Sequence, residues 1–178
     1  MYQGIIMSGF GGQGIISGGI MMTYAGMTEG KNVTFFPAYG AEMRGGTANC
    51  SVVISDDPVA TPVVSSPDTL LIMNEPSLTR FENSVKQGGL LILNTSLVAS
   101  RPSRTDITVI EVPVNDIAEK VGNLKAANMV MLGAYAKQTG ALTLDSLKNS
   151  VQKVYVRAKE AMIKMNFEAI DAGANAIK

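Results

Sequence analysis

The chain has 178 residues, no formal net charge, 46% hydrophobic residues and 17% charged ones. That is long enough for one domain with a full core, too apolar and too lightly charged for a disordered chain, and without a bulk electrostatic reason to bind nucleic acid or an anionic membrane. One cysteine and no histidine exclude an internal disulfide, a cysteine cluster for zinc or iron–sulfur, and any Ser-His-Asp or Cys-His catalytic arrangement.

No apolar run is long enough to span a bilayer, and the first residues lack a basic stretch or cleavage site, so the sequence predicts a cytoplasmic protein. Residues 1–8 read as a strand that is apolar on both faces, as in the centre of a parallel sheet. Gly9, Phe10, Gly11, Gly12, Gln13 and Gly14 follow, and a run with helical spacing occupies 12–29. Gly9, Gly11 and Gly14 match G-x-G-x-x-G between a strand and a helix. Such a turn lets a phosphate approach the backbone at a helix N-terminus; the alternative is a turn whose glycines serve only close packing of helix on sheet. Gly18, Gly19 and Gly26 weaken the helix by about 1 kcal/mol each relative to Ala. They predict close packing on a helix, a second subunit or the chain's own sheet. Gly30 is placed to end the helix.

The second strand reads as 32–36, ending at Pro37. A dinucleotide-binding unit carries an acid at that point to hold the ribose; none stands here, which argues against NAD(P). The loop 37–46 contains Tyr39, Gly40, Glu42 and Arg44. Arg44 is positioned to clamp a carboxylate or phosphate, or to pair with Glu42. In the third strand, 47–55, Thr47, Asn49 and Ser51 form a polar side and Cys50 points to the core. Residues 58–67 are an extended connection. A fourth strand covers 69–73, and Asn74-Glu75-Pro76-Ser77 starts a helix running to about 86, with proline tolerated in the first turn. Strands follow at 90–93 and 107–112.

The last third is helical. Asn115 or Asp116 is expected to cap a short helix ending at 121. The run 126–138 is apolar all round and therefore buried. Thr143 opens a further helix, and Val151, Val154, Ala158, Met162, Met165 and Ala169 predict one long amphipathic helix. The fold class is thus α/β, a single Rossmann-like domain over 1–178 with a doubly wound, mostly parallel sheet, helices on both faces and a helical C-terminal third. Ligands of such folds sit beyond the carboxyl ends of the strands. The groups expected there are the turn 9–14, the loop with Tyr39 and Arg44, Asn74 with Glu75, and 94–96. Arg44 is the one cation of that set and no general-base pair is present, because Glu75 is a lone carboxylate at a helix start. This reads as a binding or docking edge, with no catalytic residue and no metal ligand.

Two stretches, Gly9-Phe10-Gly11-Gly12-Gln13-Gly14 and the later Tyr39-Gly40-Ala41-Glu42-Met43-Arg44-Gly45-Gly46, together resemble the gamma subunit of 2-oxoacid:ferredoxin oxidoreductases. So do Leu71-Ile72-Met73-Asn74-Glu75-Pro76-Ser77, the strand around Leu91, and Asn123-Leu124-Lys125-Ala126-Ala127-Asn128-Met129. The resemblance implies a multisubunit enzyme that oxidatively decarboxylates a 2-oxoacid to its acyl-CoA and reduces ferredoxin. Thiamine diphosphate and [4Fe–4S] clusters are then expected in alpha, beta and ferredoxin-like delta subunits, and this chain binds neither alone. It is expected to pack on the catalytic subunits and shape access for the 2-oxoacid or coenzyme A. Gly9, Phe10, Gly11, Gly12, Gln13, Gly14, Tyr39, Gly40, Glu42, Arg44, Asn49 and Asn74 are the implied contacts. Phe10 and the Tyr39–Arg44 wording resemble the 2-oxoglutarate branch, with a branched-chain acid as the alternative. In isolation the chain is expected to be inactive, with a homodimer possible. The other reading is a free-standing nucleotide- or coenzyme-A-binding protein.

Overall fold

In the computed structural model the described residues are 1–39 and 47–178, with the Tyr39 side chain outside them. The strands are β1 (Tyr2–Phe10), β2 (Asn32–Tyr39), β3 (Thr47–Ser55), β4 (Thr69–Ile72), β5 (Leu90–Asn94) and β6 (Thr108–Val112). They form one sheet in the order β2-β3-β1-β4-β5-β6. From β1 to β6 all neighbours are parallel. On the other side β3 runs antiparallel to both β1 and β2. The sheet is therefore mostly parallel as expected, but the opening strand–helix–strand is not a simple adjacent pair. β1 and β2 point the same way with β3 wedged between them.

Side-chain alternation sends β-strand residues to two separate cores. Ile5, Met7, Cys50, Val52, Ile54, Leu71 and Ile92 face the helix layer. That layer comprises α1 (Ile15–Thr28), α3 (Val114–Val121), α4 (Ala127–Thr139), α5 (Leu144–Val154) and α6 (Glu160–Asn175). On the opposite face Ile6, Val53, Leu70, Ile72, Leu91 and Leu93 pack with Leu78 and Val85 of α2 (Glu75–Phe81) and the turn after it, and with Val64 and Val98 from loops. Helices thus lie on both faces, very unequally.

Several expected boundaries move. α1 begins at Ile15 rather than 12, because residues 11–14 are needed for the turn. β2 continues through Pro37 to Tyr39; as an edge strand it needs no ladder donor from Pro37 on its open side. α2 ends at Phe81 and a 3-10 turn completes it to Ser84, short of the expected 86. Asn115 does not cap α3; Pro113 occupies that position. The single long C-terminal helix is two helices, broken where Tyr155 turns to φ −104°, ψ 53°.

The helix glycines face the chain's own sheet. A Cβ on Gly18 would lie 2.9 Å from Met7 Sδ, on Gly19 2.6 Å from Cys50 Sγ, and on Gly26 2.6 Å from a Val33 methyl. α4 is buried from Ala127 to Ala136, and α6 crosses it at backbone contact. A Cβ on Gly133 would fall 1.9 Å from the Ile170 carbonyl oxygen, and one on Gly173 1.9 Å from that of Val130. α5 is tied to the end of α1 by Glu29. Its Oε1 accepts from Thr143 N at 2.7 Å and Thr143 Oγ1 at 2.9 Å, and from the Ser146 hydroxyl. Burial alone would raise the Glu29 pKa. The hydrogen bonds from Ser146, Thr143 and Lys31 outweigh it and hold the carboxyl at about 2.

Candidate functional site

The carboxyl ends of β1, β4, β5 and the start of α3 after β6 surround a crevice of about 400 Å³. Gly12, Gln13, Leu97, Asn115, Leu124, Lys125 and Ala127 line it. Its place is the one expected for a ligand of an open α/β sheet. Another hollow, of about 330 Å³ between Gln3, Asp68, Lys86 and Thr139, lies at the amino ends of the strands. Its ionic groups are already engaged, Lys86 Nζ with Asp68 Oδ1 at 2.7 Å, so it offers little chemistry.

The glycine turn is filled by the protein's own carboxamides. Gln13 folds back so that its Oε1 accepts from Phe10 N at 2.6 Å and its Nε2 donates to the Met73 carbonyl at 3.2 Å. Gly9 leaves room for that amide: a Cβ there would meet Gln13 Oε1 at 2.5 Å. Gly14 is left-handed, φ 75°, at the N-cap of α1. Asn128, from the first turn of α4, fits against it and donates through Nδ2 to Gly14 O at 3.1 Å and Ser17 Oγ at 3.3 Å. Gly12, φ 96°, has open space where a Cβ would be. Gly11 and Phe10 are exposed. Of these six residues, Gly12 and Gln13 line the crevice, while Gly9 and Gly14 do packing work.

Asn94, fully buried at the end of β5, stands behind the crevice lining and bonds to Asn115. Its Nδ2 donates to Met73 O at 3.2 Å and to Asn115 Oδ1 at 2.8 Å, and its Oδ1 accepts from Val114 N at 3.1 Å. Asn74, 1% exposed, caps α2 by accepting from Ser77 N at 3.0 Å, and its Nδ2 has no partner. It does not line the crevice. Asn49 is half-buried opposite Ser8 on the α2 side of the sheet, where Ser8 Oγ bonds Ser77 Oγ at 2.8 Å. Glu75 accepts from Ala99 N at 2.8 Å. A hydrogen bond from Ser100 foremost holds its carboxyl below the usual range, so it is an ionised structural brace. Tyr39 closes β2; its side chain, with Gly40, Glu42 and Arg44, lies outside the described residues. The expectation of one cation at this edge is corrected by Lys125, whose exposed side chain lines the crevice. Lys125 and Asn115 had no local motif to mark them; the one signal was the stretch 123–129.

The sequence profile of the family described as pyruvate ferredoxin/flavodoxin oxidoreductase matches residues 4–176. The chain belongs to this family. It is 38% identical over 169 residues to the ketoisovalerate oxidoreductase subunit VorA of Methanothermobacter thermautotrophicus, covering 94% of this chain and 35% of that protein. The chain therefore spans about a third of the length of the VorA relatives it matches. It is 33% identical to the 2-oxoglutarate synthase subunit KorC of Methanocaldococcus jannaschii over 154 residues, 85% of this chain and 82% of that one. Among solved structures, the gamma subunit of a keto/oxoacid ferredoxin oxidoreductase from Geobacter sulfurreducens superposes with a TM-score of 0.87 at 29% identity, covering 98% and 95% of the two chains.

A [4Fe–4S] cluster, which this family implies, does not fit the residues of this chain. Such a cluster is held by about four thiolates. The lone Cys50 is fully buried, and desolvation pushes its thiol up to about 12. Among the described residues no group of three or more Cys, His, Asp or Glu could hold a metal. The described residues contain no helix long and apolar enough to cross a membrane.

Proposed function

We propose that this chain is the gamma subunit of a 2-oxoacid:ferredoxin oxidoreductase, an enzyme that oxidatively decarboxylates a 2-oxoacid to its acyl-CoA. The observation that carries the reading is the end-to-end likeness to the Geobacter sulfurreducens gamma subunit, in which both chains are almost fully covered. The chain is non-catalytic in this reading. Thiamine diphosphate and the iron–sulfur clusters reside in the alpha, beta and ferredoxin-like delta partners, ferredoxin takes the electrons, and the enzyme is cytoplasmic. The crevice, with the turn 9–14 and the segment bearing Tyr39, Gly40, Glu42 and Arg44, meets coenzyme A, the 2-oxoacid or a partner subunit. Asn49, half-buried on the α2 side of the sheet, is a partner contact there in this reading, while buried Asn74 braces α2 and serves that face without touching the crevice.

The acid is 2-oxoglutarate, on the strength of KorC relatives of matching length. Ketoisovalerate is the second reading, favoured by the higher identity to VorA. The test is an anaerobic affinity purification of the tagged chain from its own cells, with a visible spectrum and coenzyme-A-dependent dye reduction over both acids. A brown complex that turns over 2-oxoglutarate supports the proposal; preference for ketoisovalerate moves it to the second acid. A colourless chain without partners, binding NAD, FAD or ATP in calorimetry, overturns it in favour of a free-standing nucleotide-binding protein.

A further inference from the structure

Two carboxamides at the crevice, Gln13 in its lining and Asn94 buried behind Asn115, have orientations dictated by backbone groups whose roles are unambiguous. A backbone N–H can only donate and a carbonyl oxygen can only accept. Asn94 receives N–H groups from Val114 at 3.1 Å and Ser96 at 3.3 Å on one side, so its oxygen stands there. Its nitrogen therefore faces the Met73 carbonyl at 3.2 Å and Asn115 at 2.8 Å. Asn115 must answer with its oxygen. Its own NH2 is then left over, with no partner among the described residues, on a side chain that lines the crevice. Gln13 is fixed in the same way, between Phe10 N and the same Met73 carbonyl, and both its ends are consumed.

The rest of the lining agrees in sign. Lys125 is exposed on it, no carboxylate is among its lining residues, and Leu97 and Leu124 supply apolar walls. We infer that Asn94 is a positioning residue that turns the Asn115 amide N–H groups into the crevice, making it a donor wall for an oxygen-bearing anion flanked by an apolar segment. The inference rests on the proposed subunit function, which offers two sources of such an anion: the carboxylate of a 2-oxoacid and the phosphates of coenzyme A. No bond is made or broken at this wall; it binds and orients.

The test uses the assembled enzyme with Asn115→Asp and Asn94→Asp. Asp at 115 keeps an acceptor for Asn94 and replaces the donor by a second carboxylate oxygen. Asp at 94 accepts only, so Asn115 must reverse and show its oxygen to the crevice, although residue 94 touches no ligand. Both variants are expected to raise KM by about tenfold or more, the scale of a lost hydrogen bond to a charged group, with kcat held. A rise confined to coenzyme A identifies its phosphates as the anion; a rise confined to the 2-oxoacid identifies its carboxylate. KM values within twofold of the parent for both ligands in Asn115→Asp overturn the inference. So does a fall in kcat alone. Should Asn94→Asp fail to fold, Asn115→Asp carries the test by itself. If the parent complex turns over no 2-oxoacid, the function reading falls instead. The inference is then judged by pyrophosphate calorimetry on the isolated chain: binding weakened in Asn115→Asp supports it, and equal or undetectable binding in parent and variant overturns it.

Discussion

Replacing Gly173 by Ala places a methyl carbon 1.9 Å from the Val130 carbonyl oxygen. Ordinary contact there needs a little over 3 Å, so α6 must retreat from α4 by on the order of 1 Å along that line. The obstacle is backbone and cannot rotate away. Retreat also loosens Val130, Ala169, Ile170 and Ala174, all buried at this crossing. Overpacking of this kind costs roughly 1–3 kcal/mol, sometimes more, and the carbonyl contact puts this site at the upper end. Ala gains about 1 kcal/mol over Gly as a helix former, which offsets part of it. The net expectation is a loss of about 2 kcal/mol. With a urea m-value of about 2 kcal/mol/M the midpoint falls by about 1 M. The sign is what discriminates: at an open helix position the same substitution stabilises. Equal or greater urea resistance in Gly173→Ala would refute the close crossing.

Gly14→Ala forces a left-handed φ on Ala and displaces Asn128, costing about 2–3 kcal/mol from the two effects; thermal unfolding measures it, and an unchanged midpoint would mean that the turn relaxes freely. Glu29 has a folded pKa of about 2 against 4.5 for an unperturbed glutamate. Its contribution to stability is therefore complete above pH 4.5 and is lost as the pH falls from there toward 2. Glu29→Gln is expected to lower stability at pH 7 and to flatten the acid side of the stability profile; a parallel profile would show that other carboxylates set it. Cys50, buried with its thiol raised to about 12, is expected to ignore a thiol reagent at pH 8 until the chain unfolds, and native-state labelling would contradict its burial.

The parts of the fold visible in the sequence are those with local cause. Apolar runs marked β1, β4 and β5, Asn74 marked the start of α2, and Gly30 marked the exit from α1. The place of β3 was hidden, because nothing in residues 47–55 says whether they pair with the strand before or with β1 as well. The break after Val154 was hidden for a different reason. Apolar spacing continues across residues 151–169 without a proline or glycine, so the periodicity is preserved while the backbone turns at Tyr155. The glycine motif was legible as a turn and silent about its occupant. Gln13 is adjacent in sequence, but the acceptor it needs is Met73, and Asn128 arrives from the far end of the chain. Lys125 and Asn115 reach the crevice because α3 and α4 follow β6, a consequence of strand order and not of any spacing.

The antiparallel β3 also bears on how the chain reaches this structure. β2 and β3 are joined by a short connection and form a hairpin, which closes at small entropic cost. β1 can then add to the exposed edge of that hairpin, pairing Tyr2 with Ser55 through Phe10 with Thr47. The first 55 residues thus have a route to a three-stranded nucleus that needs none of the later strands. The parallel half, β4 to β6, has only crossover connections, whose larger loop-closure cost is expected to make it pair later. Amides of β1 and β3 are expected to be protected in the first phase of refolding and those of β6 in the last, an order that pulsed hydrogen exchange reads directly.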